Sequence, residues 1–80
     1  MLRIAAERYE HARQMNPTDS RLHLNLGIVR LALGEPNLAL SALADLDAVA
    51  SAPDEGQHRE IERCRHKAFA ELQLRRAAGQ

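Results

Sequence analysis

The chain is poor in aromatic residues: Tyr9 and Phe69 are the only two among 80 residues, and there is no tryptophan. That leaves no set of rings on which nucleic-acid bases could stack. Cys64 is the sole cysteine, so an internal disulfide is excluded and nothing argues for an oxidising compartment. Net charge is absent as well, with 11 basic and 11 acidic side chains, which removes the usual electrostatic footprint of a nucleic-acid binder. No apolar run approaches the roughly 18 residues needed to span a bilayer. The first eight residues, Met1-Leu2-Arg3-Ile4-Ala5-Ala6-Glu7-Arg8, lack the core of a signal peptide, so a cytoplasmic chain is expected. Gly-rich phosphate loops and placed acid–base pairs are missing too, and so small a chain has little mass left to wall a catalytic cleft. These absences point to a protein with no reaction of its own and no cofactor.

What is present is leucine, alanine and charge in blocks. Residues 1–30 carry a net +2, residues 31–58 a net −5 with no Lys or Arg, and residues 59–80 a net +3. An acidic middle between basic ends could attract opposite patches on a partner or another copy; the favoured reading is that each helix simply exposes a solvated charged face. Ten of the eleven basic residues are arginine, a bias that with abundant alanine fits a GC-rich bacterial genome.

Periodicity divides the chain into four helical segments, at about 2–15, 20–33, 36–50 and 54–78. In the first, Leu2, Ala5, Ala6, Tyr9, Ala12 and Met15 share one stripe, and Asn16-Pro17 stops it. In the second, Leu22, Leu24, Leu26 and Ile28 alternate with polar residues or glycine as a strand would. Leucine dominance, length, the Asp19 cap and the trailing Gly34 nevertheless favour a helix. Read so, it has two apolar stripes, Leu22/Leu26/Val29/Leu33 and Leu24/Ile28/Leu31. Pro36 suits the first turn of the third segment, whose Ala39, Ala42, Leu43, Leu46 and Val49 face inward. Ser51 with Asp54 is one possible capping box for the fourth segment, and Asp54 with Gln57 is another. The fourth has a single narrow stripe of Ile61, Cys64, Ala68 and Leu72 with Phe69 beside it, as a terminal capping helix would.

A spacing repeat of 34 residues joins these segments. Ala5-x3-Tyr9-x2-Ala12-x4-Pro17 recurs as Ala39-x3-Leu43-x2-Leu46-x4-Ser51, with Leu26-Gly27 and the turn glycine Gly34 between them. Gly27 and Ala39 are small where two helices would cross closely, while Tyr9 and Leu43 would fill the space between helix pairs. The pattern resembles the tetratricopeptide repeat. His23 and Arg30 stand where that family places large rings, and Ser51 replaces its closing proline, with Pro53 two residues late. The resemblance implies an all-α fold: four antiparallel helices stacked as a short solenoid fragment, about one and a half repeats plus a capping helix.

It also implies two surfaces. The first helices of such repeats line a groove that holds a peptide or helix, which maps here to Arg21, Leu24, Asn25, Ile28 and Leu31. The competing reading is that the fourth helix covers this stripe and makes it core. A terminal-carboxylate clamp, used by some members, is matched only by Asn25 and Arg21. Fewer than two repeats seldom bury their apolar faces alone. The face of the first helix around Leu2, Ile4, Ala6 and Tyr9 is therefore the expected edge for a homo-oligomer, a larger complex, or the remainder of a longer solenoid. An assembly subunit working through this edge is the second functional expectation. The third, nucleic-acid binding through Arg59, Arg63, Arg65, Lys67, Arg75 and Arg76, is weakened by the interleaved Glu60, Glu62 and Glu71. His58, Glu62 and His66 recur at helical spacing, but Cys64 points away from His66, so a solvated face is expected rather than a metal site.

Overall fold

The computed structural model describes residues 1–49 and 55–79. They form four α-helices, α1 (Leu2–Met15), α2 (Ser20–Ala32), α3 (Pro36–Val49) and α4 (Glu55–Gly79), and no strand. Position 50, the Ser51–Asp54 capping box and the Ser51/Pro53 reading lie outside the described residues.

Local chemistry sets the boundaries. Asn16 leaves the helical region (φ −132°, ψ 69°) ahead of Pro17, and its N–H closes α1 on the Ala12 carbonyl. The Asp19 carboxylate accepts the Arg21 N–H at 3.0 Å and so caps α2. The alternating Leu22–Ile28 run is helical throughout. Helix α2 ends at Ala32 in a Schellman turn. Gly34 at φ +78° sends its N–H to the Leu31 carbonyl, and Glu35 sends its own to Arg30. Pro36, the first residue of α3, is fully buried.

The helices are layered in chain order. Among the described residues α1 packs along α2, α2 along α3, and α4 along α3 with a lesser contact to α2. Helices α1 and α4 do not touch, as they would in a closed four-helix bundle. The core comprises Leu24, Leu43, Leu46, Ile61 and Cys64, with Leu31 against it, and so draws on α2, α3 and α4. Complete burial of Leu43 and Leu46 contributes on the order of 1.5–3 kcal/mol each. Gly27 lets α2 and α3 approach: a Cβ there would stand 3.4 Å from Leu43 Cδ2 and 3.5 Å from the Ala39 carbonyl.

Helix α1 buries only Ala6. Ala5, Tyr9 and Ala12 are half-buried, and a chain of alternating charges adds to the attachment. Arg3 meets Glu35 at 3.2 Å, and Glu35 meets Arg30 at 3.1 Å. Arg30 also meets Glu10 at 3.3 Å; Glu10 pairs with Arg13, which reaches Asp45 on α3 at 3.1 Å. Arg30 and His23 are both used inside the fold. Arg30 is the hub of this network, and His23, only 2% exposed, bonds the Pro17 carbonyl through Nε2 at 2.7 Å. A carbonyl can only accept, so Nε2 carries the proton, and Nδ1 is left buried without a partner among the described residues.

Candidate partner-binding groove

Helix α4 lies beside α2 and leaves a shallow groove between them. At one end Ser20, Arg21, Leu24 and Asn25 of α2 face Gln57 and Glu60 of α4 across a depression of about 450 Å³. Midway, Ile28 and Leu31 face Glu60, Arg63, Cys64 and Lys67 across about 140 Å³. Beyond Leu31 the groove opens between Lys67, Ala70, Leu74 and the Glu71–Arg75 ion pair. The same Arg75 guanidinium donates to the Gly34 carbonyl at 2.5 Å, tying the end of α4 to the exit turn of α2.

The five expected groove residues fall at different depths. Arg21 is exposed, Asn25 is half-buried, and Ile28 is 37% exposed on the groove rim. Leu31 is half-buried against the core. Leu24 corrects the expectation, because it is 5% exposed and packed in the core with Ile61 and Cys64. Its side chain is the floor of the groove, available only at its edge. The question of groove or core thus divides along the helix: α4 covers the stripe at Leu24 and leaves it open at Ile28.

The opposite wall was not assigned from the sequence. Glu60, Arg63 and Lys67 stand one helical position away from the buried Ile61, Cys64 and Ala68. Flanking the only apolar stripe of α4 was the signal that could have placed them. Cys64 shows its surroundings but not its thiol chemistry. Burial pushes its pKa up, the nearby Lys67 charge opposing and Glu60 adding to the shift, so it remains a protonated thiol at neutral pH.

The expected edge on α1 is also uneven. Leu2 and Ile4 are 45% and 51% exposed, and Tyr9 is half-buried. Ala6 corrects the expectation, since it is completely covered within the chain and cannot meet a partner. An α-helix turns about 100° per residue, so the face carrying Ala6 into α2 turns Ile4 outward.

The remaining candidates resolve into surface chemistry. Arg59 pairs with Glu55, Arg65 with Asp47 and Glu62, and Arg75 with Glu71. Half of the six basic residues considered for nucleic acid are therefore already paired. No group of three or more His, Cys, Asp or Glu side chains among the described residues could hold a metal ion, His58, Glu62 and His66 included. No described helix is long and apolar enough to cross a membrane. Compared with known proteins, the chain matches no model of a protein family, no curated protein and no solved structure.

Proposed function

We propose that this protein is a non-catalytic interaction module of tetratricopeptide type, which binds a peptide or amphipathic helix of another protein in the α2/α4 groove. The observation that carries this reading is the open apolar strip of Ile28 and Leu31, held between two helix walls and continuous with the polar end at Arg21 and Asn25. Helices layered in chain order, a glycine at the α2/α3 crossing and the 34-residue spacing support the solenoid reading. Recognition would work by shape and apolar burial, about 25 cal/mol per Å² of covered apolar area, with the polar end setting direction. A cytoplasmic location and a bacterial source fit this reading and belong to it as proposals.

The test is selection of ligands from a random peptide library by the folded chain. Ile28→Asp should abolish enrichment with an unchanged helical circular dichroism spectrum. Enrichment that survives Ile28→Asp would remove the groove from the mechanism.

A second reading is favoured by the exposure of Leu2 and Ile4: a structural subunit that docks through the open face of α1. Light scattering across concentration distinguishes it. Self-association that disappears in Leu2→Glu/Ile4→Glu while peptide binding persists would assign assembly to that edge; a concentration-independent monomer would end it.

A further inference from the structure

Ion pairing sorts the cations of this chain into two groups. Arg3, Arg13, Arg30, Arg59, Arg65 and Arg75 each reach a carboxylate within 4.0 Å. Arg8, Arg21, Arg63, Lys67 and Arg76 reach none among the described residues. Three of these five, Arg21, Arg63 and Lys67, line the α2/α4 groove. Among the described residues only the carboxylate of Glu60, which reaches no cation there, stands against them, and the Glu71–Arg75 pair at the far end is balanced within itself. Charge neutrality of the whole molecule thus conceals a groove with surplus positive charge. Arg63 and Lys67 are one helical turn apart on the same wall and flank the apolar lining of Ile28, Leu31 and Cys64.

We infer that the groove accepts an acidic amphipathic segment of another protein, its apolar side chains on Ile28 and Leu31 and its carboxylates toward Arg63, Lys67 and Arg21. The inference rests on the groove reading above and adds the charge of the ligand. Covering unpaired cations with a neutral or basic segment would strip their water without return, whereas carboxylates replace it and steer approach. Nucleic acid fits the surface poorly, since neither Tyr9 nor Phe69 lines the groove and Glu60 projects into it. A second copy fits poorly as well. The acidic stretch of this chain already commits Asp45 to Arg13 and Asp47 to Arg65, and it buries Leu43 and Leu46 in its own core.

The library selection tests the charge separately from the groove. Peptides enriched in an Ile28-dependent manner are expected to combine leucine-like residues at helical spacing with an excess of Asp and Glu. A synthetic peptide from that set should lose at least about tenfold in affinity for Arg63→Glu/Lys67→Glu, and should weaken as salt rises. Both replaced residues are exposed and unpaired, so the variant should keep its helical circular dichroism. An Ile28-dependent set that is neutral or basic would overturn the acidic assignment and leave the groove standing. Absence of any Ile28-dependent enrichment would overturn both. Unchanged affinity in the double variant, or equal competition by a single-stranded DNA oligonucleotide, would also overturn it. So would dimerisation by light scattering that the double variant abolishes, because the groove would then belong to a second copy.

Discussion

Gly27 and Gly34 sit in α2 and its exit turn, and the same substitution has opposite signs at the two. At Gly27 an added Cβ makes only ordinary contacts, and alanine is the better helix former by about 0.8–1 kcal/mol. Gly27→Ala should therefore raise the midpoint of thermal unfolding, whereas Gly27→Leu should lower stability by about 1–3 kcal/mol through overpacking against Leu43. At Gly34 the backbone is left-handed, so Gly34→Ala should cost about 1–2 kcal/mol. A second contrast lies within one stripe. Leu24→Asp should unfold the chain, because an unpaired carboxylate would enter the core, while Ile28→Asp should keep its helical spectrum. The spacing of leucines put these two residues on one face and could not separate them, because the difference comes from where α4 crosses.

At the scale of helices, the attachment of α1 combines buried Ala6, half-buried Ala5, Tyr9 and Ala12, and the alternating charges centred on Arg30. Arg30→Met should release α1, lowering hydrogen-exchange protection of its amides roughly tenfold with α3 unchanged. The pH response follows from Glu35. The hydrogen bond from Arg30, with help from Arg3 against the opposing effect of desolvation, holds its carboxyl below the ordinary Glu range. A depressed carboxylate pKa contributes stability above its unfolded value, near pH 4.3, and loses it as pH falls through the folded value. Docking of α1 should thus weaken below about pH 4 and hold from there to neutrality, as exchange at several pH values would show. Helix positions were legible from Asn16-Pro17, Asp19, Gly34 and Pro36, since each acts on its own neighbours in sequence. The ionic attachment was not, because Arg3 and Glu35 or Arg13 and Asp45 are separated by 32 positions and leave no local pattern. Arg30 and His23 stood out in the sequence only as missing rings; the fold gives one a set of carboxylates and the other a carbonyl.

Over the whole molecule, 39 × 28 × 18 Å in extent, layering in chain order makes stability a matter of neighbours. Helix α1 packs along α2 and reaches α3 only through Arg13 and Asp45, whereas α3 packs along both α2 and α4, so opening should proceed from α1 inward. Ala6→Asp should strip protection from α1 amides while those around Leu43 and Leu46 exchange as before; simultaneous loss everywhere would show a single cooperative unit. Lys67, the only lysine of the chain, carries one more consequence. An amine-reactive reagent thus has a single side-chain target among these 80 residues, and it stands on the groove wall. The label found on the Lys67 peptide after digestion, with and without a bound segment, therefore measures groove occupancy on the unaltered protein.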